Sequence, residues 1–151
     1  MCEFAAAGAK EVVGLEISAT AMQEAEAYLA STGHDAANMV LGNFFEWQDP
    51  QGPFNFGFDY TFGCAMHPAD RGNWAQGWAR AIQPGGTLIT LLYPVDPSAD
   101  PNIGPPFPIS PELYKDLLSV HFSLVTMEPV PAQLSHEGRQ GKEYLGLWTR
   151  K

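Results

Sequence analysis

Glu11-Val12-Val13-Gly14-Leu15-Glu16-Ile17-Ser18 is the stretch on which the fold turns. Its apolar run predicts a buried strand that ends in an acid. Ser18 has the chemistry of a helix N-cap, and residues 20–31, rich in Ala, Glu, Gln and Met, predict the helix that follows. Gly33 is its stop signal, and residues 38–42 predict a second short strand. Strand, helix and strand in about thirty residues make a βαβ unit, which places the two strands parallel.

Working outward, residues 5–8 read as the last turn of a preceding helix that Gly8 ends. Downstream, Asp49-Pro50-Gln51-Gly52-Pro53 is a loop, and residues 54–62 suit another buried strand carrying one acid, Asp59. Residues 68–82 predict a helix with Trp74, Trp78, Ala81 and Ile82 at helical spacing. Pro84-Gly85-Gly86 predicts a turn before the strongest strand, residues 87–93. Residues 94–111 hold seven prolines and predict an ordered loop over the top of the sheet. A short helix over 111–119, a strand over 122–129, a polar turn at 136–142 and a strand over 144–149 complete the chain. Alternating strands and helices imply an α/β fold with a doubly wound, mostly parallel sheet. The last two strands, joined without a helix, predict an antiparallel pair at one edge.

In such sheets ligands lie beyond the carboxyl ends of the strands. Glu16 stands at the first of these ends, where a carboxylate can accept hydrogen bonds from both ribose hydroxyls of a nucleoside cofactor. Its position equally suits an acid that only stabilises the next helix N-terminus. After the second strand, Asn43 can meet an adenine amino group while Phe44 offers a backbone N–H and an apolar wall. The alternative there is a loop whose aromatic side chains complete the core. Asp59 and Tyr60 mark the third strand end, and Tyr60 also suits a core position with a satisfied hydroxyl.

Taken together, Gly14-Leu15-Glu16-Ile17-Ser18, Phe58-Asp59-Tyr60-Thr61-Phe62-Gly63-Cys64-Ala65 with Arg71 and Trp74, the strand leading to Tyr93-Pro94, and Gly104-Pro105-Pro106-Phe107 resemble the thiopurine and thiol/halide methyltransferase family. The resemblance runs on to Gly141-Lys142-Glu143-Tyr144-Leu145-Gly146-Leu147-Trp148. It implies one Rossmann-like domain over residues 1–151, S-adenosyl-L-methionine as cofactor, and methyl transfer to a small soft nucleophile: a thiol, bisulfide or halide. By position it assigns the cofactor to Glu16, Ile17, Asn43, Phe44 and Tyr60. The acceptor falls to Arg71, Tyr93, Pro106 and Phe107, with Tyr93 also as the catalytic group that polarises it. Asn43 stands where the family usually has an aspartate, which keeps an acceptor oxygen and loses a charge. For Arg71, a salt bridge at the start of its helix is the competing role.

The family pattern also places a first strand and glycine-rich turn ahead of residue 5, in the centre of the sheet. Neither is expected here, so the chain reads as partial and its cofactor binding and turnover as impaired. A different class of function follows from the same gap: a non-catalytic methyltransferase-like module completed by a partner chain, or self-associated through the unpaired sheet centre. A nicotinamide enzyme is a third possibility, since Glu16 suits that ribose as well, but the segments at 59–64 and 104–107 have no role in it.

A formal net charge of −9, with only eight Lys and Arg among 151 residues, argues against nucleic acid as a partner. No apolar run is long enough for a membrane span, and the first residues do not read as a signal peptide. Cys2 and Cys64 are too few for a disulfide framework, which fits a reducing cytoplasm. Cys64 reads as a small buried hydrophobe and His67 as a turn residue before Pro68. His34, His121 and His136 lack ligand spacing, so no metal is expected.

Overall fold

The structure, a computed structural model, describes residues 1–33 and 37–151, and His34 lies outside them. The chain divides into two compact units, Met1–Trp47 and Gln48–Lys151. The first contains α1 (Cys2–Ala6), β1 (Val12–Glu16), α2 (Ala19–Thr32) and β2 (Ala37–Leu41). β1 and β2 pair in parallel, with Val12 opposite Ala37 and Glu16 opposite Leu41. This is the expected βαβ unit, and its signals are local. Ser18 Oγ accepts from Ala21 N at 3.3 Å, and Gly33 ends α2 with φ 68°. Gly14 is required by close approach: a Cβ there would stand 2.7 Å from Met39 Sδ and overlap Met1 Sδ. β1 is half-buried along its whole length rather than fully buried. It lies in a sheet of two strands, so its backbone has one partner strand where a central strand would have two.

The second unit holds a four-stranded sheet in the order β3-β4-β6-β5, built from β3 (Phe54–Tyr60), β4 (Ile82–Leu92), β5 (Phe122–Pro129) and β6 (Tyr144–Arg150). β3 and β4 are parallel, whereas β6 runs antiparallel to both β4 and β5. The expected antiparallel pair is therefore present, with its second member inserted between β4 and β5. The fold is α/β with mixed parallel and antiparallel pairing, as the Rossmann-like reading requires. The chain enters β1 directly from α1, without the first strand of that layout.

Two helices complete this unit, α3 (Arg71–Ala81) and α4 (Pro111–Leu118). Trp74, Ile82, Leu88, Leu92, Leu118, Phe122 and Trp148 are each at most 2% exposed and make its core. Each such side chain contributes about 1.5–3 kcal/mol by leaving water. Trp148 Nε1 donates to Thr90 Oγ1 at 3.0 Å, which satisfies both polar atoms in the buried sheet. Trp74 packs on Tyr114 with ring centroids 5.0 Å apart. The other tryptophan of α3, Trp78, is only half-buried.

The starts of α3 and β4 differ from the sequence reading. The helix expected over 68–82 begins as a 3-10 turn, Pro68–Asp70, and becomes α-helical at Arg71. His67 Nδ1 caps that turn by accepting from Ala69 N at 3.2 Å. Pro84-Gly85-Gly86 is not a turn ahead of a strand but part of β4. Pairing jumps from Phe54–Ile82 to Phe56–Thr87, so the intervening residues bulge out of the ladder, with Gly85 at φ 79°. Turn-forming residues inside a strand are how a bulge is made, and residue type alone does not distinguish the two. Among the described residues no helix is long and apolar enough to cross a membrane.

Candidate active site

In the first unit, two strand ends come together through the backbone. Gly42 N donates to Glu16 O at 2.8 Å, which sets the loop after β2 beside the end of β1. Glu16 Oε1 accepts from Ser18 N at 2.8 Å, so the carboxylate is oriented by the start of α2. The helix-stabilising role is thus real, and it leaves Oε2 and further lone pairs for a ligand. Ile17, just past this strand end, is 72% exposed. Asn43 Oδ1, the atom expected at adenine, accepts from Phe45 N at 3.1 Å in an Asx turn. One lone pair and the Nδ2 donors remain. The half-buried ring of Phe44 stands edge-on to Phe45, 6.5 Å between centroids.

In the second unit the end of β3 is held by Asp59, 1% exposed. Its Oδ2 accepts from Trp74 Nε1 at 2.7 Å and Trp78 Nε1 at 3.0 Å, and its Oδ1 from Gly63 N at 3.1 Å. Burial raises its pKa above the ordinary carboxylate value, and those hydrogen bonds offset part of the rise. Asp59 therefore anchors the turn rather than facing a ligand. Thr61 has φ 58°, a left-handed conformation that strains a β-branched residue. The strand accordingly stops at Tyr60, two residues short of the expected end. Cys64 is buried, its thiol pushed up to about 11 by desolvation and by nearby Asp59.

Tyr60 is 37% exposed, and its hydroxyl accepts from Arg139 Nη1 at 2.6 Å. The same guanidinium lies over the ring of Tyr93, 4.3 Å from its centroid. Arg139 thus joins the ends of β3 and β4, although sequence reasoning passed over it within the polar turn at 136–142. The available signal was a lone arginine in the connection between the two antiparallel strands. Beside Tyr60 a cavity of about 440 Å³ is lined by Leu91, Pro129, Leu134, Glu143 and Leu145.

The other expected acceptor residues are placed less uniformly. Pro106 is exposed, while Phe107 is 7% exposed and donates its N–H to Cys64 O at 2.8 Å. Phe107 thereby ties the proline-rich loop to the turn after β3. Arg71 is also 7% exposed. Its Nη2 donates to Pro108 O at 3.3 Å, and its Nε has no hydrogen-bond partner among the described residues. The competing role, a salt bridge at the helix start, is not met among the described residues, where Arg71 bonds this carbonyl. Burial lowers its pKa. Among the described residues no three His, Cys, Asp or Glu side chains cluster as a metal site requires.

Comparison with known proteins places these observations in a lineage. Thiocyanate methyltransferase 1 of Brassica oleracea is 38% identical over 141 residues, covering 92% of this chain and 60% of the relative. Probable thiol methyltransferase 2 of Arabidopsis thaliana is 36% identical over 143 residues, covering 93% and 61%. The chain thus spans about three-fifths of the length of these curated relatives. Among solved structures, the glycopeptide N-methyltransferase MtfA superposes with a TM-score of 0.77 at 16% identity, covering all of this chain and 78% of the other, a likeness of fold. The profile of the Thiopurine S-methyltransferase (TPMT) family matches residues 1–149. By that match, which leaves only two residues outside it, the chain belongs to the thiopurine S-methyltransferase family.

Proposed function

We propose that this chain takes part in S-adenosyl-L-methionine-dependent methyl transfer to a small soft nucleophile, a thiol, bisulfide or halide. The observation that carries this reading is the pairing of strand ends in the first unit: an oriented carboxylate, Glu16, backbone-bonded to the loop that bears Asn43 and Phe44. That donor set fits a nucleoside. Glu16 accepts from the ribose hydroxyls, Asn43 hydrogen-bonds the adenine edge, and Phe44 covers its face. The bound cofactor supplies an electrophilic methyl group on a sulfonium.

In the second unit, Tyr60, which the sequence reading assigned to the cofactor, joins Tyr93 and Arg139 as the groups suited to the acceptor. The Arg139 guanidinium attracts an anionic sulfur or halide, and the aromatic and aliphatic walls strip water from it. A free thiol near pKa 8.5 already supplies some thiolate at neutral pH, so alignment matters more than a general base. The named relatives, thiocyanate and thiol methyltransferases, favour the same acceptor class. The edge strands β1 and β3 are also where a second copy would pair, which light scattering after size exclusion measures directly.

Isothermal titration with S-adenosylhomocysteine tests the cofactor half. The expected result is saturable binding that Glu16→Gln weakens on the order of tenfold. Binding indifferent to that substitution overturns the assignment. A methyl-transfer assay comparing bisulfide, iodide and a thiopurine then ranks the acceptors.

A further inference from the structure

Glu143 is a carboxylate at 3% exposure in the connection between β5 and β6. Acidic side chains are almost never buried unless paired, so its partners carry information. Ser135 Oγ donates to Oε2, and Oε1 lies 3.9 Å from Arg139 Nη1. Its backbone carbonyl accepts from Val130 N at 2.9 Å. One residue therefore ties down the start, middle and end of the connection. The next contact fixes the connection to the segment after Tyr93: Lys142 Nζ reaches Asp96 Oδ2 at 3.0 Å, and Lys142 O accepts from Val95 N at 2.9 Å.

What this does to Arg139 is specific. Both of its polar side-chain contacts, to Tyr60 and to Glu143, are made by Nη1. Among the described residues Nε and Nη2 make no protein hydrogen bond, and the side chain is 27% exposed. The Nε–Nη2 edge is the face of a guanidinium suited to holding an anion with two donors. Resting on Tyr93 at 4.3 Å and held at Nη1, the side chain has given up most of its rotamer freedom before any ligand arrives.

We infer that Glu143 is a positioning residue for the acceptor end: fixed by Ser135, it holds Arg139 against Tyr60 and Tyr93 so that the free guanidinium edge receives an anionic acceptor. The inference rests on the proposed function for the identity of that anion. The contact itself is independent of it. In this role Glu143 acts through Arg139.

Nitrogen-15 NMR of the arginine side chains in the full chain, with sodium iodide as the probe, reads both parts. In the wild type, Arg139 is expected to show slow rotation about its Nε–Cζ bond and an iodide-dependent shift. Glu143→Gln keeps an acceptor for Ser135 and removes the charge. It is expected to free the Arg139 rotation and weaken iodide binding on the order of tenfold. Ser135→Ala, which loosens the other carboxylate oxygen, is expected to act in the same direction more weakly, and it carries the test if Glu143→Gln does not fold. A folded variant whose Arg139 rotation and iodide response equal those of the wild type overturns the inference. Rotation freed by Glu143→Gln, with no iodide response in any protein, supports the positioning contact and overturns the acceptor reading instead.

Discussion

Trp74 Nε1 donates to Asp59 Oδ2 at 2.7 Å in the interior of the second unit. Trp78 shares that oxygen, and Gly63 N takes the other, so three donors from α3 and the turn after β3 converge on one carboxylate. An asparagine at 59 offers one acceptor oxygen where two are in use, and adds donors where donors already point. Asp59→Asn is expected to lower unfolding free energy by about 1–3 kcal/mol in urea titrations. An unchanged midpoint would remove Asp59 from the role of anchor.

The same carboxylate sets a pH dependence. Burial raises its folded-state pKa above 3.8, so between its ordinary and raised values the folded protein binds its proton more tightly than the unfolded chain does. Its contribution to stability is therefore greatest at low pH and falls as pH rises through that window. Comparing wild type with Asp59→Asn from about pH 4 to about pH 7 isolates this slope from other titrating groups. The stability of the wild type relative to the variant is expected to decline with rising pH. A rising difference contradicts the sign.

The two cysteines should react differently. Cys64 is 2% exposed, donates to Thr61 O at 3.3 Å, and has its thiol raised to about 11. Near pH 8 only about one part in a thousand is thiolate, and that fraction is shielded from reagent. Cys2 is half-buried near the chain start, 3.7 Å from Thr32 Oγ1. Pulsed iodoacetamide labelling read by mass spectrometry should modify Cys2 first and Cys64 only on unfolding.

Two glycines of the second unit make opposite predictions. A Cβ at Gly63 would overlap the Tyr114 hydroxyl and stand 3.2 Å from Trp74, so Gly63→Ala is expected to cost about 1–3 kcal/mol. Gly72, in the first turn of α3, has nothing within 4 Å of such an atom. Gly72→Ala is expected to stabilise by about 0.4–1 kcal/mol, since alanine restricts the unfolded chain and fits the helix. Denaturant midpoints of the pair check both signs.

The sequence assigns Tyr93 the polarising of the acceptor, and the structure sets its ring face against Arg139. Tyr93→Phe keeps that platform and is expected to retain methyl transfer within about threefold, whereas Tyr93→Ala loses on the order of tenfold. Equal losses in the two variants would assign the catalytic role to the hydroxyl.

What was legible in the residues alone was whatever short-range chemistry decides. Ser18 and Gly33 bound α2 because a cap and a left-handed stop act within a few residues. The βαβ unit followed from periodicity, and the antiparallel last pair from a connection that lacks a helix. The position of Glu16 at the end of β1 was legible for the same reason, since it is a matter of local order. Tertiary structure alone decided that Pro84-Gly85-Gly86 bulges within β4, because pairing with β3 recruits those residues. It also decided that Asp59 meets the indoles of α3 and that Arg139 meets Tyr60, seventy-nine positions away in the chain. Such contacts depend on how the β5–β6 connection and α3 pack on the sheet, and residue type states only what a side chain can bond, never which distant atom packing will bring to it.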